Sequence, residues 1–173
     1  MTSTAGPASV SISAACARTI QVTLEDTRWH NCHVKATSLL GNLLLRRRAL
    51  ESGAAEALLV RDGVLTEGTS SNLFAVTGGV LRTAPADSRI LRGITRDVVI
   101  ELAAACGIAV EERAIAAHAA AQAAEIFICS STREIVPVTT LDGRPVGDGA
   151  PGPVTRRLIA AFDSLKQSFM AAA

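Results

Sequence analysis

Lysine is nearly missing from this chain: its seventeen basic residues divide into fifteen Arg and two Lys, at positions 35 and 166. Where arginine carries the general positive charge, a lysine needs its own chemical reason. Long apolar runs are also missing, although 49% of residues are hydrophobic and the 19% that are charged are spread along the chain. That pattern excludes a membrane-spanning stretch and a disordered tail. A formal net charge of +1 leaves no sustained field to attract a polyanion. Nucleic acid is therefore not an expected partner. Arg46, Arg47 and Arg48 form the one basic cluster, within a helical pattern, and read as a solvated face or a subunit contact. Cys16, Cys32, Cys106 and Cys129 have no CxxC pair and no spaced His, so neither a zinc site nor a disulfide framework is signalled. A reducing cytoplasm is the expected compartment. The opening "MTSTAGPASVSISAACAR" lacks a basic start followed by an apolar core, which argues against a secretory signal and leaves residues 1–18 as an irregular arm.

What is present fits one domain of mixed α and β structure. Residues 19–24, "TIQVTL", alternate as a strand, and after "EDTRWHN" a short "CHV" strand leads to Lys35, at a strand end. A helix is expected from an N-cap at Thr37 or Ser38, through "LLGNLLLRRRALES", to Gly53 at C′. "EALLV", "VLTEG", "SSNLFAV" and "VLRT" read as a meander of successive antiparallel strands. A helix from Ile94 to Cys106 is followed by Gly107 and a strand "IAVEER". Then come a short Ala-rich helix "AHAAAQAA", a buried strand "EIFICS", a bent hairpin "EIVPVTTLDGRPV" interrupted by Pro137, and an amphipathic helix from about Pro153 to Phe169. No internal repeat is found.

Four loops follow a strand or open a helix and carry small or hydroxyl residues: "VK" at 34–35, "TEGTSSN" at 66–72, "LRGIT" at 91–95 and "CSST" at 129–132. Rigidly held loops are where sites form. Each alone has an ordinary explanation: a snorkelling lysine, a turn carboxylate, cap and turn serines. Together they supply what one cofactor needs, namely an amine for an aldehyde, a carboxylate for a pyridine nitrogen, and hydroxyls with helix N-terminal amides for a phosphate. Those are the requirements of pyridoxal 5′-phosphate. In "GITRD" Gly93 permits close approach of an anion to the first helical amides, and Thr95 is able to cap.

The segments "EDTRWHNCHVKATSLLGNLL", "LVRDGVLTEGTSSNLFAV", "ILRGITRDVV" and "ICSSTREIVPV" resemble the signature segments of the class IV, or fold-type IV, pyridoxal-phosphate aminotransferases, nearest to the D-amino-acid (D-alanine) branch. The resemblance covers about residues 19–165. It implies the large C-terminal domain of that fold, over residues 19–173: an α/β (mixed α+β) unit with a mixed or antiparallel sheet, or an open barrel, and flanking helices. It further implies that Lys35 bonds the cofactor aldehyde and moves the substrate proton. Glu67 would partner the ring nitrogen, Ser70 and Ser71 the hydroxyl pair, and Leu91 the ring face. Gly93, Ile94 and Thr95 would form the phosphate cup, and Ser130 and Ser131 the second phosphate loop. The partners implied are an amino acid, a 2-keto acid and a second copy of the chain in a homodimer whose interface borders the site.

Members of the family usually carry a smaller N-terminal domain before the lysine segment, and only the short arm precedes it here. The arginine for the cofactor phosphate and the groups for the substrate carboxylate have no counterparts, and the chain has no Tyr. Impaired activity of the 173-residue polypeptide is therefore expected. Alternatives are a branched-chain aminotransferase or an aminodeoxychorismate lyase of the same fold, or a non-catalytic remnant acting as a dimerising or regulatory module. His30, His33 and His118 are read as structural, and Cys32 and Cys129 as small buried hydrophobes.

Overall fold

The computed structural model describes residues 20–171. The expected arm over 1–18, with Cys16, lies outside them. The strands are β1 (Ile20–Glu25), β2 (Glu56–Arg61), β3 (Val64–Gly68), β4 (Asn72–Thr77), β5 (Val80–Thr83), β6 (Val110–Glu112), β7 (Ile115–Ala116), β8 (Glu125–Ser130), β9 (Glu134–Val138), β10 (Thr140–Leu141) and β11 (Arg144–Pro145). The helices are α1 (Leu40–Glu51), α2 (Ile94–Ala105), α3 (Ala117–Ala120) and α4 (Pro153–Ala171).

Two mixed sheets result. The first runs β11-β10-β1-β2-β3-β7, with β1 parallel to both β10 and β2, and the second runs β6-β5-β4-β8-β9. Period-two alternation makes each central strand serve two cores. Along β4, Leu73 and Ala75 face a core shared with Leu58 of β2 and Leu65 of β3, whereas Phe74 and Val76 face Val99 of α2 and Leu158 of α4. In β8, Ile126 and Ile128 join the first set while Phe127 and Cys129 join the second. Phe74 and Phe127 stack across the strand pair at 5.0 Å between centroids. The outer face of the first sheet is covered by Leu45 and Ala49 of α1. The layers are thus α1, sheet, sheet, and α2 with α4. Strands buried on both faces explain the near-continuous hydrophobicity of "EALLV" and "EIFICS".

Several expectations are corrected. "CHV" forms no strand: Cys32 N–H donates to Ser88 O at 2.8 Å and Val34 N–H to Asn31 O at 3.1 Å, so turn and loop bonds satisfy this backbone and Lys35 lies in irregular chain rather than at a strand end. His33, two residues before Lys35 and expected on the same face of such a strand, consequently shares no strand face with it. Helix α1 begins later than Thr37 or Ser38, because Leu39 N–H bonds back to Thr37 O at 2.8 Å and Leu39 itself occupies the N-cap without a side-chain bond. Gly53 does end it, at φ 81°. The meander is two hairpins in different sheets: β2 pairs β3, β4 pairs β5, and the chain changes sheet across Thr69–Ser71. Pro137 does not interrupt its hairpin. It pairs opposite Phe127 within β9, an edge strand where a missing N–H is tolerated, and the change of sheet falls at Thr139. The Ala-rich helix shrinks to the four residues of α3.

Candidate active site

Glu67 is the penultimate residue of β3, whose last residue, Gly68, opens the bend that carries the chain to the second sheet. Its carboxylate is buried and receives three donors: Arg28 Nη1 on Oε1 at 2.6 Å, and Asn72 Nδ2 at 3.2 Å with Leu91 N–H at 3.1 Å on Oε2. Burial pushes this carboxyl up to about 7 against the opposing pull of Arg28. A cavity of about 100 Å³ opens onto it. Lys35, Glu67 and Leu91 line that cavity together, so three residues from separate predicted loops meet in one place. Lys35 is solvent-exposed, and Nζ has no hydrogen-bond or ion-pair partner among the described residues. The lysine loop is pinned by Cys32 N–H on Ser88 O and by Arg28 Nη2 on Arg89 O at 3.3 Å, which ties it to the segment bearing Leu91.

Asn72 draws the other segments in. Its Nδ2 bonds both Glu67 and Leu91 O, the latter at 2.8 Å, while its backbone lies opposite Cys129 in the β4–β8 ladder. Gly93 sits so close that a Cβ there would collide with Asn72 Oδ1. The glycine is needed for this approach, and its φ of −81° is ordinary. As N-cap of α2 it offers no side chain to the first amides of the helix, and Ile94 is exposed while Thr95 is buried. Those amides therefore remain free for an anion.

Ser70 and Ser71 are not free hydroxyls. Ser71 Oγ donates to Glu56 Oε1 at 2.9 Å, and the same oxygen receives Ser70 N–H at 2.8 Å and Thr69 Oγ1 at 3.1 Å. Glu56, fully buried, also pairs with Arg133, which joins the "TSS" bend to the loop after β8. At the end of β8, Ser130 Oγ accepts from Arg133 N–H at 3.3 Å, and Ser131 in the loop is exposed. Arg46 reaches Ser70 Oγ at 3.4 Å, and Arg47 pairs with Glu51.

Four participants were missed in the sequence: Arg28, Glu56, Asn72 and Arg133. A signal existed for two of them. Glu56 and Asn72 are polar residues opening strands whose next four residues are apolar, and a buried polar group demands partners. His30, His33 and His118 are all exposed, and Cys32 and Cys129 are buried, the latter with its thiol pushed up to about 12 by desolvation. Among the described residues no cluster of His, Cys, Asp or Glu could hold a metal, and no helix is long and apolar enough to cross a membrane.

Residues 2–141 match the family model described as amino-transferase class IV. A D-alanine aminotransferase of Bacillus licheniformis is 42% identical over 143 residues, 83% of this chain and 50% of its own. One from Listeria monocytogenes serotype 1/2a (strain 10403S) is 44% identical over 141 residues, 82% and 49% respectively. The branched-chain amino acid aminotransferase of Thermobaculum terrenum, solved in its PLP form, matches with TM-score 0.81 at 33% identity over 86% of this chain and 50% of that one. The chain spans about half the length of these relatives. Since the family match runs through the lysine loop, the Glu67 strand and the helix that follows Gly93, this chain belongs to the class IV aminotransferases.

Proposed function

We propose that residues 19–173 form a pyridoxal-phosphate-binding large domain of an enzyme that transfers the amino group of a D-amino acid, of the D-alanine type, to a 2-keto acid. The observation carrying this reading is the cavity shared by Lys35, Glu67 and Leu91. The residues fit the cofactor: a lysine amine without a competing partner, a buried carboxylate with one face on the cavity, and an uncapped helix N-terminus. When bound, pyridoxal 5′-phosphate supplies an aldehyde and an electron-withdrawing ring. Lys35 would bond the aldehyde carbon and, once displaced by the incoming amine, would take the substrate Cα proton on Nζ and deliver it to the former aldehyde carbon. Glu67 would hold the proton of the ring nitrogen. Leu91 would pack on the ring, and the amides of Ile94 and Thr95, approached over Gly93, would take the phosphate with Ser130 and Ser131. Ser70 and Ser71 would shape the site from their bonds to Glu56.

The D-specific reading rests on the relatives named D-alanine aminotransferase at 42% and 44% identity, against 33% for the branched-chain structure. The solved relatives named as branched-chain aminotransferases favour the second reading, an L-specific donor. Purified chain supplied with the cofactor should consume D-alanine in preference to L-leucine with 2-oxoglutarate as acceptor. A reversed preference refutes the first reading. The groups that hold a substrate carboxylate are unassigned among these 173 residues, so turnover by this polypeptide alone should be slow, and a rate typical of the family would contradict that.

We further propose a homodimer. Trp29, Val34 and Leu39 around the cavity, with Leu40, Leu43 and Leu44 on α1, are large apolar side chains left exposed. Sedimentation equilibrium should give a dimer mass, and a monomer at all concentrations would count against it. Cys32, Cys106 and Cys129 are free thiols, in keeping with a cytoplasmic setting that cell fractionation would check.

A further inference from the structure

Around Glu67 lies a buried cluster that sets two carboxyl groups against two guanidiniums: Asp26, Arg28, Arg61 and Glu67. Arg28 grips Asp26 with both ends of its guanidinium, Nε to Oδ1 at 2.8 Å and Nη2 to Oδ2 at 2.9 Å, and turns its remaining nitrogen to Glu67 at 2.6 Å. Such a fork fixes the plane as well as the position of the group. Asp26 Oδ2 is held in turn by Arg61 Nη2 at 3.1 Å and by Thr66 Oγ1 at 3.3 Å. Arg61 Nη2 also donates to Arg28 O at 3.1 Å, so both the backbone and the side chain of Arg28 are braced by one neighbour. The stem of Arg28 runs under Gly41 of α1, where an added Cβ would meet its Cγ at 3.3 Å. Arg28 is thus held or flanked by Asp26 just after β1, Arg61 of β2, Glu67 of β3 and Gly41 of α1.

The restraint has a chemical purpose if Glu67 meets a ring nitrogen, which is the proposed function on which this inference rests. Burial alone favours the neutral carboxyl, and a neutral carboxyl cannot keep a pyridine nitrogen protonated. We propose that Arg28, clamped by Asp26 and braced by Arg61, is the positioning residue that draws Glu67 toward its ionised form and holds it turned toward the cavity. Asn72 and the Leu91 amide orient the second oxygen but bring no charge. The other ionisable groups facing the cluster are Cys32, Asp87 through its attraction to Arg61, and, across the cavity, Lys35. None of them contacts Glu67 through a hydrogen bond.

The test reads Glu67 without the cofactor. Side-chain carboxyl NMR of the apo-protein, assigned with Glu67→Gln, should show the Glu67 midpoint rising by about one to three pH units in Arg28→Met. In Arg28→Lys, which retains a charge but loses the fork, the rise should be smaller. Asp26→Asn, which leaves the guanidinium but loosens its clamp, should weaken cofactor binding while moving the midpoint less than Arg28→Met does. An unmoved Glu67 midpoint in a folded Arg28→Met overturns the proposal. Should that variant fail to fold, an unmoved midpoint in Arg28→Lys does the same. If the midpoint moves but the wild-type chain binds no pyridoxal 5′-phosphate, the positioning role stands and the functional reading falls.

Discussion

Lys35→Ala is expected to abolish the visible absorption of protein-bound pyridoxal 5′-phosphate and to lower transamination by about 10³-fold or more, the range lost with a general acid–base group. Stability should hardly change. The Lys35 amine is exposed and makes no hydrogen bond or ion pair among the described residues, and such positions usually shift stability by less than about 0.5 kcal/mol. Separating a lost function from an intact fold is therefore straightforward by absorbance and thermal melting on one sample. The chain supplies its own control, since it has one other lysine. Lys166 of α4 is committed to Glu134 of β9 and to Asp163 on its own helix, and has no part in the cavity. Lys166→Ala should keep the absorption band. A band that survives Lys35→Ala would end the assignment.

Glu67→Gln should cost about 10²-fold or more in turnover, comparable with removing one preorganised electrostatic partner of a reacting group. The amide keeps the size but not the charge, so a ring nitrogen facing it would lose its proton. Thermal melts of the apo-protein give an independent measure. With its carboxyl pushed up to about 7 from an ordinary 4.5, folded Glu67 holds a proton that the unfolded chain has already released. Its contribution to stability is full below about pH 4.5 and is lost as pH rises through about 7. The wild-type melting temperature should accordingly fall across that interval, and the fall should flatten in Glu67→Gln. Asp26 does not mask the effect. Burial pulls its carboxyl up but Arg28 and Arg61 hold it below its usual range, so its contribution disappears only in stronger acid. A melting temperature equally pH-dependent in both proteins would contradict the account.

How far these features could be read in advance depended on whether the cause was local. Helix α2 stops at Gly107, φ 68°, and α1 at Gly53 because a residue free of Cβ permits the left-handed turn, and such stops are visible in sequence. Strands β2 to β5 show as apolar runs between glycine turns. What escaped was the assignment of these strands to sheets, because the bends at Thr69–Ser71 and Thr139 carry no more turn chemistry than an ordinary hairpin. "CHV" alternates as a strand should, yet finds no edge to pair with. The site divides likewise. Lys35, Glu67 and Gly93 announce themselves through residue type, whereas Arg28 reads as one more surface arginine until Asp26 and Glu67 are seen to enclose it.

Strand β1 sits between β2 and β10, pairing Gln21 with both Glu56 and Leu141. A ribosome making this chain finishes one neighbour of that strand early and the other only some 120 residues after the strand itself, by the numbering of the pairs. Until then the side of β1 that will meet β10 is an open template for any passing extended segment, its own kind included. Nascent-chain protection and chaperone dependence should thus hinge on the arrival of residues 140–145, a late fastening for the earliest strand described.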